Sequence, residues 1–245
     1  MIKPKPYLRE VLLDRASIDS FDVYPFSIPA LREFHSLKFH ADVTFIIGEN
    51  GAGKSTLIES IALGLGFGIE GGTKNVQVST HDNASSLHKH LKLVKSFQKP
   101  EDAYFLRAES FYNVATYMEE VGYLDGYGGT SLHQRSHGES FMATLLHKLK
   151  GKGLYIFDEP EAALSPTRQL AALAAMDQLV KNNSQIIMAT HSPILMAYPH
   201  ARIYLMDPSG IHEVKYEDTE HYTVTRQFLN DYRSMIDILT RDERV

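Results

Sequence analysis

The sequence contains no cysteine and no apolar run long enough to cross a membrane. The lack of cysteine excludes disulfides, thiolate zinc sites and cysteine nucleophiles, and it fits a reducing compartment. A bilayer span needs about 18 or more consecutive apolar residues, which no part of the chain approaches. The first residues, Met1 to Pro6, carry positive charge but no apolar core follows them, so they do not resemble a signal peptide. We therefore expect a soluble, cytoplasmic protein.

An excess of positive charge is also missing, because 25 lysines and arginines face 30 aspartates and glutamates, a net charge of −5. The composition therefore gives no basic footprint for avid, nonspecific DNA binding. Arg226, Arg233 and Arg241 could form a local basic patch, although a solvated helix face explains them better. Hydrophobic residues make up 43% and charged residues 22%, as in an ordinary globular protein. The 245 residues accommodate one α/β domain with or without an inserted lobe.

The most informative segment is a glycine-rich turn between an apolar run at 43–47 and an apolar periodic stretch at 57–62. Its residues are Gly48, Glu49, Asn50, Gly51, Ala52, Gly53, Lys54, Ser55 and Thr56. Glycines let backbone N–H groups turn around an anion, and the following helix presents its positive dipole end to the same anion. Lys54 is expected to reach the terminal phosphates and Ser55 to ligate Mg²⁺. The chain is therefore predicted to bind a nucleoside triphosphate.

Two carboxylates follow a second apolar run, at 154–157. In α/β sheets the carboxyl ends of the strands form the edge where ligands bind. Asp158 is predicted to hold Mg²⁺ there, directly or through water. Glu159 is predicted to polarise the water that attacks the γ-phosphate.

A histidine follows a third apolar run, at 186–189. At the carboxyl end of a strand, His191 could hydrogen-bond the γ-phosphate or orient the attacking water. Because it comes after Lys54 and the two carboxylates in the chain, we predict a catalytic role for it.

Ser136 and Gly138 precede a fourth apolar stretch, at 141–146. These residues alone allow two interpretations. One is a second anion-binding helix N-terminus, and the other is an ordinary N-cap closed by the Glu139 carboxylate. Taken by themselves, the residues favour the cap.

Strands and helices alternate along the chain, and the strands are continuous apolar runs. Strands are predicted near 37–39, 43–47, 104–108, 153–157 and 185–190, and helices near 166–181 and 224–240. This pattern predicts an α/β fold with a mainly parallel sheet that helices cover on both faces. We expect a single domain over residues 1–245. Its core lobe would comprise about 18–72 and 151–245, and an inserted, mostly helical lobe would comprise about 73–150.

Together these segments resemble the ABC-type ATPases over roughly residues 20–210, which implies a P-loop NTPase fold. Residues 48–56 resemble the Walker A motif, residues 154–159 the Walker B motif with its catalytic glutamate, and His191 the switch histidine. Residues 135–139 resemble a degenerate signature motif that keeps the serine and the second glycine. The residues of these motifs are similar to those of the SMC/RecF-like branch and of small stand-alone ATPases related to it.

The sequence departs from the family pattern at two further places. Residues 162–165 occupy the D-loop position, with Ser165 in place of the usual aspartate. Glu109 stands where the family has its Q-loop glutamine, and a carboxylate there could still contact Mg²⁺ or water.

The resemblance implies an enzyme that hydrolyses ATP with Mg²⁺ and a head-to-tail homodimer that closes over two ATP molecules. Ser136 of each copy would contact the γ-phosphate that Lys54 of the other copy holds. Hydrolysis would then loosen the dimer. The short separation of Lys54 and Ser136 leaves no room for a long coiled-coil arm.

Three functions fit these expectations. The first is an ATP-driven dimerisation switch in DNA metabolism, repair or a defence system, acting on an unidentified DNA or protein partner. The second is the energy-coupling ATP-binding subunit of an ABC transporter, for which a membrane partner is the less favoured implication. The third is a nucleotide-gated scaffold with negligible turnover, against which Glu159 and His191 argue.

Overall fold

A computed structural model of the chain describes residues 5–74, 84–120 and 136–240. The strands of these ranges are β1 (Leu8–Leu13), β2 (Ser36–Lys38), β3 (Val43–Ile47), β4 (Leu91–Lys95), β5 (Asp102–Arg107), β6 (Gly153–Asp158), β7 (Gln185–Ala189), β8 (Arg202–Asp207) and β9 (Gly210–Val214). The α-helices are α1 (Pro29–Arg32), α2 (Lys54–Gly64), α3 (Phe111–Glu120), α4 (His137–Ala143), α5 (Pro166–Lys181), α6 (Pro193–Met196), α7 (Glu220–Asn230) and α8 (Tyr232–Thr240). Short 3₁₀ turns at Ser86–His90, Pro160–Ala163 and elsewhere, and a π-helical turn at Thr144–Lys148, complete the described elements.

The main sheet has six strands in the order β5-β6-β7-β3-β8-β9. All neighbours are parallel except the β8–β9 hairpin at one edge. The central strands β3, β6 and β7 are buried along their whole length. The predicted α/β fold with a mainly parallel sheet is therefore confirmed, and the carboxyl ends of five parallel strands meet at one edge.

Both faces of this sheet are covered, because the side chains of each strand point alternately to two cores. On one face, Ile46 and Ile187 belong to a core that includes Leu57 and Ile61 of α2. On the other face, Phe45, Phe157 and Met188 belong to a core with Phe141 of α4 and Met176 of α5. The helix that begins in the glycine-rich turn is thus fixed against the sheet that carries Asp158.

A second, antiparallel sheet in the order β2-β1-β4 was not predicted. It packs in the same core as α2, through Leu8, Val11 and Leu37. The buried Gln185 joins the two sheets: its amide oxygen accepts from Leu8 N at 2.9 Å, and its amide nitrogen donates to Leu8 O at 2.8 Å and to His40 O at 3.0 Å.

The expected boundaries of the helical lobe differ from the structure. Two strands lie within residues 73–150: β4 pairs with β1, and β5 pairs with β6 as an edge of the main sheet. The sequence predicted β5, near 104–108, but not β4, and the pairing of either strand is not visible in the local composition because the partners are distant in the chain. The helices of this stretch are α3 and α4, while residues 75–83 and 121–135, with Arg135 of the signature-like segment, lie outside the described residues.

The C-terminal part contains more elements than we expected. The hairpin of β8 and β9 was missed, and the amphipathic stretch is two helices, α7 and α8, separated at Asp231. Within the described ranges, no helix combines the length and the apolar character needed to cross a membrane.

Candidate active site

The glycine-rich turn connects β3 to α2 in the way that the sequence predicted. Gly48, Gly51 and Gly53 have φ angles of 149°, 82° and 97°, a range that side chains disfavour. A Cβ on Gly48 would lie 2.3 Å from the carbonyl oxygen of Met206 in β8, so the turn presses against the neighbouring strand. Helix α2 begins at Lys54, directly after this turn, so the free N–H groups of its first turn lie next to the loop, as phosphate binding requires.

Lys54 is the first residue of α2, and its side chain is buried. Its ammonium donates to the carbonyl oxygen of Glu49 at 3.0 Å and lies 3.9 Å from Glu159 Oε1. Burial lowers the pKa of Lys54, while Glu159, Asp158 and Glu161 counteract this effect. A buried cation with few fixed partners gains most from an anionic ligand such as a terminal phosphate.

Asp158 ends β6 and is 5% exposed. Burial raises its pKa to about 6, although the neighbouring Arg107 and the Ser55 hydroxyl lower it. Its Oδ1 is buried without a hydrogen-bond partner. An unpartnered carboxylate oxygen beside a hydroxyl offers the hard oxygen ligands that Mg²⁺ prefers.

The residues predicted to bind a metal fit a magnesium site shared with a phosphate ligand better than a closed protein cage. A cavity of about 180 Å³ is lined by Ser55, Asp158, Glu159 and Glu109. In the part of the chain that the structure describes, no group of three or more His, Asp or Glu side chains could enclose a metal by itself. Mg²⁺ in phosphate sites is commonly held by one or two carboxylates together with the substrate's phosphates and waters. Ser55 and Asp158 would hold it here.

Arg107 is a site residue that the sequence analysis did not select. It ends β5, directly opposite Asp158 in the parallel pair. Its guanidinium donates to Glu59 of α2 at 2.8 Å and to Glu109 at 3.3 Å, and its Nε lies 3.6 Å from Asp158 Oδ2. Arg107 therefore connects the helix of the phosphate loop to the carboxylate predicted to hold the metal. Glu109, the expected Q-loop residue, lies at the same cavity with its side chain 86% exposed.

Glu159 and His191 lie side by side at the carboxyl edge. His191 Nε2 is 3.4 Å from Glu159 Oε1, the same oxygen that faces Lys54. Glu159 has a left-handed backbone, with φ 49° and ψ 51°, and its N–H donates to Ala189 O at 3.0 Å. Such a conformation is costly for a side-chain-bearing residue and is held here by the adjoining strand. With this backbone conformation the chain leaves the strand direction at Glu159, and the carboxylate lies near Lys54.

The loop of His191 is held by residues that the sequence analysis did not select. Glu161 accepts hydrogen bonds from Thr190 Oγ1 at 2.8 Å and from the His191 N–H at 2.5 Å. Gln169 of α5 accepts from the Ser192 hydroxyl at 2.5 Å. These contacts fix the backbone that presents His191. The only feature of the sequence that pointed to them is that Glu161 comes shortly after Asp158 and Glu159 in the chain.

The ring of His191 has a second histidine as its neighbour. His191 Nδ1 lies 3.2 Å from Nε2 of His221, the second residue of α7.

Tyr24 lies at the opposite side of the phosphate loop. The residue is 63% exposed, and its hydroxyl is 3.3 Å from Thr56 Oγ1. An exposed aromatic ring beside a phosphate loop offers a stacking surface for a base.

Ser136 is the N-cap of α4 and forms a full capping box with Glu139. Arg168 of α5 donates to Ser136 Oγ and to Glu139 Oε1, both at 3.1 Å. Gly138 permits this approach, since a Cβ there would lie 2.5 Å from Arg168 Nη1 and 2.6 Å from Ala163 O. In the single chain, Ser136 therefore acts as an ordinary N-cap, as the capping interpretation predicted. Arg168 places a positive charge next to the start of this helix.

The structure thus brings most of the predicted residues to one edge and leaves Ser136 in a separate group. Lys54, Ser55, Asp158, Glu159 and His191 are joined by the contacts above. Among the described residues, the contacts of Ser136 are with Glu139 and Arg168 and not with the phosphate loop.

Two family models match the chain in separate parts. The model described as "AAA domain" matches residues 18–104, and the model described as "AAA domain, putative AbiEii toxin, Type IV TA system" matches residues 140–197. The first spans the phosphate loop, and the second spans Asp158, Glu159 and His191.

Curated relatives and a solved structure are also similar. The nucleoside import ATP-binding protein NupA of Lactococcus lactis is 28% identical over 169 residues, 61% of this chain and 33% of that protein. The energy-coupling factor transporter ATP-binding protein EcfA2 of Methanospirillum hungatei is 27% identical over 223 residues, 80% of this chain and 55% of that protein. The chain therefore spans between a third and about half of these relatives. The SMC head domain from Thermotoga maritima is 16% identical with a TM-score of 0.47, covering 85% of this chain and 99% of that one.

The phosphate loop, the carboxylate pair and the following histidine fall within the segments that match ATP-binding proteins and AAA domains. Their order along the chain and their meeting at one sheet edge agree with the resemblance to ABC-type ATPases noted in the motifs. In these segments the chain is similar to AAA domains and to the ATP-binding proteins of ABC transporters.

Proposed function

We propose that the protein hydrolyses ATP at a Mg²⁺ site and that ATP brings two copies together head to tail. The observation that carries the proposal is the convergence of Lys54, Asp158, Glu159 and His191. Glu159 Oε1 lies 3.9 Å from Lys54 Nζ and 3.4 Å from His191 Nε2. The cavity beside it is lined by Ser55 and Asp158. A buried lysine, two carboxylates and a histidine thus lie in or beside one small cavity, which supports the roles proposed for them.

Each of these groups has a defined task in phosphoryl transfer to water. Residues 48–53 and Lys54 would bind the β- and γ-phosphates, and Mg²⁺ at Ser55 and Asp158 would neutralise the charge of the phosphate oxygens. Glu159 would orient the attacking water by accepting a hydrogen bond from it. His191 would donate from Nε2 to the γ-phosphate or to this water. Such catalysis consists mainly of positioning and electrostatic stabilisation, so a fixed backbone around His191 serves it directly.

The head-to-tail dimer is supported by the separation of the two phosphate-binding groups. Ser136, Gly138 and Arg168 form a helix start with a nearby cation, apart from the chain's own phosphate loop. A second copy would bring this group to the exposed side of the bound γ-phosphate. Ser136 Oγ, which accepts from Arg168 and Glu139 N in the free chain, would then donate to phosphate.

The decisive experiment compares wild type with Glu159→Gln in a phosphate-release assay and in size-exclusion chromatography with light scattering. We expect the variant to lose at least about 100-fold in turnover, since general-base positioning contributes on that order. We also expect it to elute as a dimer at saturating ATP and as a monomer without nucleotide. Glu217→Gln, an exposed change outside the site, serves as the control and should behave as wild type. Equal turnover of Glu159→Gln and wild type would refute the catalytic role, and a monomeric variant at saturating ATP would refute the dimer.

The process served by the switch is the second part of the proposal. We propose DNA metabolism, repair or a defence system, and the wording of the motifs and the toxin-related family description support this choice. Stimulation of ATP turnover by double-stranded DNA at low salt, and its loss at higher salt, would support a DNA partner.

The printed names of the relatives favour one alternative, an energy-coupling subunit of an ABC transporter. Such a subunit would dock on a membrane protein and co-sediment with membranes from the native cell. Unaltered turnover with DNA, together with recovery in the membrane fraction, would decide for this alternative.

A further inference from the structure

The two histidines at the carboxyl edge form a contact that the reaction described above does not use. His221 Nε2 lies 3.2 Å from His191 Nδ1, and the ring centroids are 5.4 Å apart with an interplanar angle of 47°. At this distance the two nitrogens share one hydrogen, with one ring as donor and the other as acceptor. His221 comes from α7, an element that contributes no other side chain named for the site.

The other nitrogen of each ring indicates the direction of this hydrogen bond. His191 Nε2 lies 3.4 Å from Glu159 Oε1. To donate a hydrogen bond on this side of the ring, His191 must carry its hydrogen on Nε2. In a neutral ring His191 Nδ1 is then an acceptor, and His221 must donate from Nε2. Nε2 of His191 and Nδ1 of His221 are both buried without a hydrogen-bond partner, but only His191 Nε2 has a carboxylate oxygen close by, at 3.4 Å. The N–H group is therefore favoured at His191 Nε2, beside the carboxylate, and the lone pair at His221 Nδ1.

Burial and most of the charges around His221 favour its neutral form. It faces His191 from the loop after β7, Lys54 from α2 and Glu220 on its own helix. Burial, together with His191 and Lys54, lowers the pKa of His221, against an opposing effect of Glu220. A neutral ring has a single N–H group to donate, and the geometry directs that group to His191.

We propose that His221 is a positioning residue that fixes His191 in the tautomer with hydrogen on Nε2. This assignment rests on the proposed ATP hydrolysis for its purpose, but not for its geometry. The second histidine ring thereby prepares His191 to donate to the γ-phosphate or to the attacking water. The arrangement is similar in logic to a carboxylate that orients a catalytic imidazole, with a neutral donor in place of the carboxylate.

His221 is not needed to hold α7 in place. Thr219 caps the helix by accepting from Tyr222 N at 3.3 Å, and the Tyr216 hydroxyl donates to Pro193 O at 2.7 Å. The rings of Tyr216 and Tyr222 also pack together, with their centroids 4.7 Å apart. A substitution at position 221 is therefore expected to change the partner of His191 while the helix start stays docked.

The test reads the tautomer of His191 by long-range ¹H–¹⁵N NMR in the nucleotide-free protein, and turnover in parallel. Three variants are compared with wild type. His221→Phe keeps a ring without a donor, His221→Gln keeps an amide donor, and His212→Phe is the control on β9. Signals of His191 are assigned with His191→Gln.

We expect hydrogen on Nε2 of His191 in wild type, in the control and in His221→Gln, and a mixture of tautomers in His221→Phe. Turnover of His221→Phe should fall about tenfold with ATP affinity unchanged, as for the loss of an outer orienting partner. His221→Gln should recover most of the rate. Hydrogen on Nδ1 of His191 in wild type, or an unchanged tautomer in His221→Phe, would overturn the assignment. If wild type does not hydrolyse ATP, the proposed function fails, while the NMR comparison still decides the role of His221.

Discussion

At the scale of single residues, Asp158 shows how burial and charge oppose each other in this site. It is 5% exposed and keeps one oxygen without a partner, and its pKa is raised to about 6. The nearby Arg107 reduces this rise without cancelling it. The metal-free fold therefore carries a cost that a bound cation would remove.

This cost leads to a prediction about stability and pH. Because the folded carboxyl holds its proton more tightly than the unfolded one, the contribution of Asp158 to stability falls as pH rises from 3.8 to about 6. The difference corresponds to about 3 kcal/mol at neutral pH. Asp158→Asn should therefore raise the thermal unfolding midpoint of the metal-free protein at pH 7.5, and the gain should disappear near pH 4.

The control is Asp19→Asn, an exposed position that should leave the midpoint unchanged at both pH values. An Asp158→Asn protein that is less stable than wild type at pH 7.5 would show that the ion pair with Arg107 outweighs burial. With ATP and Mg²⁺ the order of the two unfolding midpoints should reverse, because the variant lacks the carboxylate proposed to bind the metal.

The site residues that follow a buried strand could be predicted from the sequence, since an apolar run ending in Asp158-Glu159 or in Thr190-His191 has a clear pattern. Residues brought in by neighbouring elements could not. Arg107 reaches Asp158 only through the register of two strands separated in the chain, and His221 reaches His191 only because α7 returns to the sheet edge. Tyr24 lies near Thr56 through an irregular segment that no periodic pattern marks.

At the scale of elements, the start of α4 rests on the turn Pro160–Ala163 that follows Glu159. Gly138 is the point of contact, because Ala163 O and Arg168 occupy the space where a Cβ would be. The position of Ser136 is thus coupled through backbone to the segment that carries Glu159. This arrangement predicts a separation of nucleotide binding from turnover.

Gly138→Ala should shift α4 by the few tenths of an ångström to one ångström needed to relieve the clash, while the phosphate loop is untouched. We expect ATP affinity within about twofold of wild type and turnover reduced at least about tenfold, as small misplacements of catalytic groups have large effects. Fluorescent ATP titration and phosphate release measure the two quantities. His147→Ala, an exposed change on the adjoining π-helical turn, is the control. Equal losses of affinity and turnover would contradict this coupling.

The elements themselves were predictable to different degrees. The strands β3, β6 and β7 are buried on both faces and appear in the sequence as continuous apolar runs. β1 buries only part of its residues and β4 none of them completely, so the apolar pattern of both strands is weak. The hairpin of β8 and β9 lies at the sheet edge, where polar residues such as His212 and Glu213 interrupt the apolar pattern.

At the scale of the whole molecule, a shared site predicts complementation between two inactive variants. Lys54→Ala removes the phosphate cation, and Ser136→Arg blocks the opposing helix start. A heterodimer of the two contains one site in which both residues are intact. With equal amounts and independent sites, an equimolar mixture should recover about a quarter of the wild-type rate, since half the dimers carry one intact site.

Each variant alone, at the same total concentration, supplies the baseline for this mixture. The matched control is a mixture of wild type with the double variant, in which one chain carries both Lys54→Ala and Ser136→Arg. A mixture no more active than its better component would refute sharing of the site between copies.

The amide of Gln185 closes the end of the molecule opposite to all of these residues, where β1 meets the beginnings of β3 and β7. That end carries no group named for ATP. Lys181, at the last turn of α5, lies beside it with a side chain 67% exposed. Because the chain has no natural thiol, a cysteine introduced at Lys181 would take a single dye, and energy transfer between two labelled copies would report their approach without disturbing either site.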